Sequence, residues 1–533
     1  MSAQAGGLPT NLRVVAIAEN KNIKFTLGRN TEMRKLPSFL RRLDRRRFLR
    51  VAAGSGLVVA QLMSSAAWAA DADIDLSKWS PEYVKSIAGT AEFDTAAHCN
   101  EIVPLDYKGR LTFWYQRVSE ADPEIAKEYY DKFFETFRAT YPNIELEEQG
   151  LDYNVLLDKF RTALLGNAAP MAIRLLILGG IEFAAKGYLE PLKPEDVGYS
   201  TDKFWPGAMK AVTWKGVPYG IPTNNETMAF IWNADIFERA GLDPNHAPET
   251  WDDVVAYSKQ IHDKLGIAGY GLVARQNAGN TPYRFMPQLW AYGGGVFDEA
   301  DPNPTYGEIR LDSPESKRAL QASYDMYVRD RSVPTAALTN TQSDNQAPFI
   351  AGQLGMVISH PSEYSKMIEL AEKATGADKE VAEKVVANMR YGLIPAGPTG
   401  KRAVVFGGSN ISILKPEYVE GGVVDTKAAL AITCMWTSPE WSVKMAWAAS
   451  NPGNLDGFRT KWFKQRLDEI KFLDVTTSML PSGIPFPALP ESPEIMNIIV
   501  PDMMQAALTG KMSVDEAADD AAKKVKDLMG GGL

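Results

Sequence analysis

Leu111-Thr112-Phe113-Trp114-Tyr115 opens the stretch that decides the fold. Aromatic and β-branched residues dominate it, as in a strand. Beyond it, Ile125, Tyr129, Phe133, Phe134 and Phe137 recur at helical spacing, which predicts a helix over 122–141 ended by Pro142-Asn143. Residues 144–149 read as a second strand, 153–166 as a second helix and the mostly apolar run 173–178 as a third strand. Strand, helix, strand, helix, strand is the pattern of an α/β domain with a mainly parallel sheet.

Toward the C-terminus the alternation returns. Residues 228–232 form a strand-like run and 233–240 a short helix. Thr250 is the N-cap of a helix over 251–265, and Ser313-Pro314-Glu315 opens another that runs to about Arg329. A last helix runs from Ser513 to about Met529. The expectation is two α/β lobes without a flexible linker.

Toward the N-terminus, residues 70–107 are polar and read as an irregular extension punctuated by Pro81, Gly89 and Pro104. Before them, Leu43-Asp44-Arg45-Arg46-Arg47-Phe48-Leu49-Arg50 is followed by an apolar run over 51–63 that is too short to span a bilayer, then by Ala67-Trp68-Ala69. This order matches a twin-arginine export signal over 1–69 cleaved near Ala69, with Met1 or Met33 as the start, and predicts a periplasmic protein. No cysteine follows the apolar run to carry a lipid anchor. The residues after Ala69 hold 63 acidic against 45 basic side chains, a balance that disfavours nucleic acid and anionic membranes. The only cysteines, Cys99 and Cys434, stand far apart outside any metal-binding spacing and read as two unpaired thiols, with one bridge in an oxidising compartment as the alternative.

Several blocks carry a resemblance. They are Gly216-Val217-Pro218-Tyr219-Gly220-Ile221-Pro222 with Glu226-Thr227 and Phe230-Ile231-Trp232-Asn233, continuing through Ala240-Gly241-Leu242 to Thr250-Trp251-Asp252-Asp253. Further on come Leu289-Trp290-Ala291-Tyr292-Gly293-Gly294-Gly295, Phe349-Ile350-Ala351-Gly352-Gln353-Leu354-Gly355-Met356, and Ile394-Pro395-Ala396-Gly397-Pro398 with Phe406-Gly407-Gly408-Ser409-Asn410. In this order, over about residues 108–530, the chain resembles the family 1 extracellular solute-binding proteins, the sugar-binding group that includes maltose-binding protein. It departs from the pattern at Pro170-Met171-Ala172, where relatives have Pro-Asp-Val, and at His360-Pro361-Ser362, where they often have Gly-Pro-Trp. Both departures fall near the expected cleft.

The resemblance implies a type II periplasmic-binding-protein fold: two α/β lobes with a ligand cleft between them, closing by a hinge. It implies lobe 1 over 108–222 and 360–437, lobe 2 over 227–357 and 441–533, and crossings near 223–226, 359–362 and 435–440. It further implies a monomer that hands a carbohydrate-like solute to the permease subunits of an ABC importer, without metal, cofactor or catalytic residues. Sugar sites need flat aromatic platforms and a few fixed polar groups. The candidates are Trp114, Tyr115, Gln116 and Arg117 at the end of the first strand, and Asn224, Asn225 and Glu226 at the first crossing. Trp290, Tyr292, His360, Gly408, Ser409 and Asn410 complete the set. Trp114 and Trp290 have core positions as their plain alternative, and Gly293–Gly295 a simple turn. Two other readings fit an exported chain: a glycosidase, which needs paired carboxylates, and a periplasmic sensor that shares the fold.

Overall fold

The alternation of Leu111 and Phe113 with Thr112 and Trp114 builds the strand Gly109–Gln116 (β1), with the first pair fully buried. The computed structural model describes residues 15–19, 22–26, 74–117, 124–276, 280–298, 308–447 and 450–530. Two compact units, 1–74 and 75–533, divide the chain. In the first, Val15–Glu19 pairs antiparallel with Asn22–Thr26. The arginine motif, the apolar run and Ala67-Trp68-Ala69 lie outside the described residues.

In the second unit, β1 is flanked in parallel by Ile144–Leu151 (β2) and Ala172–Leu176 (β3). The sheet continues through two antiparallel neighbours, and Ile221–Glu226 (β4) joins a second sheet through the adjoining strand Ala229–Asn233 (β5). That second sheet holds Ala268–Tyr270 (β6), Leu354–Ser359 (β7), β5 and Met389–Gly392 (β8), in the order β6-β7-β5-β8. The first sheet is completed by Gly407–Ile413 (β9) and Asn451–Pro452 (β10), in the order β10-β4-β9-β3-β1-β2. β9 runs antiparallel to both β3 and β4.

Each sheet has its own core. Beside the first, Phe133 on the helix Glu124–Thr140 packs 4.7 Å from Trp436 on the helix Thr426–Thr437, which also meets Phe113 at 5.7 Å. The second core gathers Trp251, Trp290, Met356 and the alanine face of the helix Val514–Leu528. Burial of each such large side chain is worth about 1.5–3 kcal/mol. Caps fall where the sequence puts them. Thr250 accepts from Asp253 N at 3.1 Å, with Gly266 at φ +69° ending that helix, and Ser513 caps the last helix.

Three expectations are corrected. First, the described part of the extension, residues 74–107, is not irregular. It contains the helices Pro81–Ile87 and Thr95–Ile102, fastened to the first lobe. Trp79 Nε1 donates to Thr477 O at 2.8 Å, with its ring 4.9 Å from Trp205 and 5.0 Å from Phe458. His98 stacks on Tyr199 at 4.4 Å. Second, Cys99 and Cys434 form a disulfide, Cα atoms 5.8 Å apart across 335 residues of sequence. The helices that carry them pack side by side, a neighbourhood that chain separation conceals. Third, strand pairing moves two crossings and the lobe boundaries drawn from them. The chain does pass between sheets after Glu226, but 359–362 leads into the helix Pro361–Lys373 and on to β8, still in the second sheet. It returns between β8 and β9, where Val404-Val405 pair with Gly483-Ile484. Residues 435–440 stay with the first sheet, because the helices Thr426–Thr437 and Pro439–Lys444 pack on its strands. The second core is rejoined at Met479.

Candidate functional site

The end of β4 is unusually polar for a buried strand: Thr223, Asn224 and Asn225 are each at most 3% exposed. Successive strand residues face opposite ways, so Asn224 and Glu226 share one face while Asn225 takes the other. Asn224 Nδ2 donates to Glu226 Oε1 at 3.2 Å and to Ser450 Oγ at 2.8 Å. Asn225 Nδ2 donates to Pro452 O at 2.9 Å, which fastens β4 to β10. The Thr223 hydroxyl lies 3.0 Å from Ser409 O on β9.

β9 approaches β4 closely at Gly408, whose φ of +132° suits glycine; a Cβ there would lie 2.1 Å from Asn224 O. At Gly407 a Cβ would lie 3.3 Å from the Tyr283 hydroxyl and 3.4 Å from Glu226 Oε2. The Tyr283 hydroxyl therefore reaches the neighbourhood of the Glu226 carboxylate. Tyr283 belongs to the helix Asn280–Ala291, whose Phe285, Met286, Leu289 and Trp290 sit in the second core. Its ring meets His360 edge-on at 5.8 Å and Phe486 at 5.2 Å. Glu226, Tyr283, His360 and Phe486 thus converge from both lobes, with Glu226, Tyr283 and His360 half-buried and Phe486 buried. A carboxylate offers acceptors, a phenol both a donor and an acceptor, and the rings apolar edges.

The remaining candidates are dispersed. Trp114 is half-buried under the Lys159 ammonium, 4.9 Å from its ring centre. Tyr115 faces the core, 4.9 Å from Phe134, and burial pushes its hydroxyl up to about 12. Gln116 ends β1, and Arg117 is exposed beyond it, its amide donating to Leu151 O at 2.9 Å. Trp290 is 1% exposed in the second core, with its ring 6.3 Å from Phe486 of the convergent group. Tyr292 donates to Asp252 Oδ1 at 2.5 Å beneath Arg318. Gly293–Gly295 is a turn packed on Ser316. Ser409 and Asn410 are buried within β9, where Asn410 Nδ2 donates to Ser412 Oγ at 2.8 Å.

Sequence reading missed Tyr283, Phe486 and Arg174. Tyr283 lies two helical turns before Trp290 on the same helix face, a spacing the sequence contains. Arg174 stands as the one charge in the run 173–178, itself a signal, since an unpaired charge is rare in a central strand.

Residues 121–418 match the family described as bacterial extracellular solute-binding protein. The chain belongs to this family. The mannitol-binding protein of Pseudomonas aeruginosa is 26% identical over 440 residues, covering 79% of this chain and 94% of the relative. The sn-glycerol-3-phosphate-binding periplasmic protein UgpB of Shigella flexneri is 20% identical over 445 residues, covering 79% and 92%. Among solved structures, an ABC transporter solute-binding protein from Thermotoga lettingae TMO bound with alpha-D-tagatose superposes with a TM-score of 0.61. It is 24% identical and covers 79% of this chain and 99% of its own. This solute-binding protein thus has the two-lobed fold of its relatives, with β4 and β5 crossing between lobes beside Glu226. Among the described residues, no helix is long and apolar enough to cross a membrane, and no group of three or more His, Cys, Asp and Glu could hold a metal.

Proposed function

We propose that the protein binds a polyhydroxylated solute, a sugar or polyol, between its lobes and delivers it unchanged, as a periplasmic monomer, to the permease of an ABC importer. The observation that carries the reading is the convergence of the Glu226 carboxylate from one lobe and the Tyr283 hydroxyl from the other. A carboxylate accepts from vicinal hydroxyls, the phenol adds a hydrogen bond, and Phe486 and His360 give the ring or carbon chain an aromatic wall. Contacts drawn from both lobes form together only when the lobes close, so such a solute would couple binding to closure. The mannitol-binding relative and the tagatose-bound structure support this ligand class.

The test is thermal unfolding of the purified chain with mannitol, tagatose, maltose and sn-glycerol 3-phosphate. A solute at a hundred times its dissociation constant stabilises the native state by about 2.7 kcal/mol. A shift from one chemical class, abolished in Glu226→Gln and with the solute recovered intact, is the expected result. A folded protein that responds to no polyhydroxylated solute overturns the ligand class, and a consumed solute overturns the binding role.

A further inference from the structure

Arg174 sits in the middle of β3 among Ala172, Ile173, Leu175 and Leu176, and is only 6% exposed. A guanidinium keeps its charge inside a protein, so the centre of the first sheet holds a buried cation. Its two hydrogen-bond partners are neutral. Nε donates to Thr223 Oγ1 at 3.1 Å and Nη2 to Asn224 Oδ1 at 2.7 Å, with the guanidinium 5.7 Å from the Trp436 ring centre. Burying a charge against neutral oxygens costs stability, and packing alone would be served better by an apolar side chain.

The arrangement does settle which way the Asn224 amide points. Arginine has only donors, so the amide atom facing Nη2 must be the oxygen. The amide nitrogen then points away from Arg174, toward Ser450 Oγ and Glu226 Oε1. A cation at the oxygen end and a carboxylate at the nitrogen end both lie along the amide's own dipole, so each hydrogen bond strengthens the other. Were the amide turned over, its oxygen would face the Glu226 carboxylate, acceptor against acceptor. Through Thr223, beside Ser409 O, the same guanidinium also ties β3 to β4 and β9.

We infer that Arg174 is a positioning residue: it acts through Asn224 to hold the Glu226 carboxylate in the orientation that receives the solute. The inference rests on the reading of Glu226 as a solute contact.

Two measurements on the full chain test it. With ¹⁵N-asparagine labelling, the Asn224 side-chain amide (identified by its loss in Asn224→Asp) should exchange slowly with solvent in the native protein. Arg174→Met should speed that exchange at least about tenfold while the buried amide of Asn225 stays protected. Affinity is then measured for whichever of mannitol, tagatose, maltose or sn-glycerol 3-phosphate binds the native protein. Arg174→Met and Asn224→Asp should each weaken it about 10- to 100-fold, and Arg174→Lys should recover most of the loss. Asn224→Asp keeps an acceptor toward Arg174 while deleting the donor to Glu226, so weaker binding at an unchanged melting temperature assigns the effect to Glu226. Native-like exchange and affinity in Arg174→Met, beside a weakened Glu226→Gln, overturn the role of Arg174 and leave the proposed function standing. Native affinity in Glu226→Gln removes the contact on which both rest.

Discussion

Replacing both cysteines with alanine opens the Cys99–Cys434 bridge and removes one of the ties between the N-terminal extension and the first lobe. The bridge closes a loop of 335 residues. For that length, chain entropy gives a stabilisation of about 6 kcal/mol, and loss of native disulfides from smaller domains costs about 2–5 kcal/mol. A loss of about 3–6 kcal/mol is therefore expected. At about 2.1 cal/mol/K per residue, a cooperative unit of roughly 450 residues turns that into a fall of about 3–6 °C in Tm. The assay is calorimetry of the double variant beside the native chain, each with and without reductant. Reductant should lower the native Tm to that of the variant and leave the variant unmoved. The extension keeps its other anchors, Trp79 against Trp205 and Phe458 and Lys85 with Asp474 at 2.6 Å, so limited proteolysis should cut near residues 88–95 faster without releasing the lobe. Equal Tm and equal cleavage in all four samples would refute the reasoning, because the bridge would then constrain nothing.

Two further outcomes follow from single sites. In Gly408→Ala a Cβ would sit 2.1 Å from Asn224 O at a φ of +132°, so β9 and β4 must separate; the cost is about 3 kcal/mol or more by calorimetry, with solute affinity lost alongside. Glu182 is buried, which alone would raise its pKa, but Arg161 at 2.9 Å and Lys186 at 2.7 Å hold it below the ordinary value of 4.5. Its folded value lies below its unfolded one, so its contribution is complete above about pH 4.5 and disappears as pH falls through the folded value. Both cations are largely solvated, so the contribution is on the order of 1 kcal/mol. Glu182→Gln should lower stability by that amount at pH 7 and converge with the native protein in acid, as denaturant titrations at several pH values would show.

Local pattern carried the element types and one half of the proposed site. Aromatic periodicity over 125–137 placed a helix within a residue or two of Glu124–Thr140, and Thr250 and Ser513 marked their helix starts, because period and capping act over one turn of chain. Asn224-Asn225-Glu226 stood out as polar residues at the end of an apolar strand, and there the structure holds a buried polar network that joins Arg174, Asn224, Glu226 and Ser450. What pattern could not carry is which distant segments become neighbours. Cys434 meets Cys99, the Tyr283 hydroxyl comes into the neighbourhood of Glu226, and Trp290 turns into the core, through sheet pairings and helix packings summed over hundreds of residues. The lobe boundaries moved for the same reason: β8 hydrogen-bonds to β5 and β9 to β4, and a strand's sequence states its readiness to pair but not its partner. Sequence thus determined the elements and the chemistry at the crossing, while tertiary pairing decided which side chains from the other lobe face it.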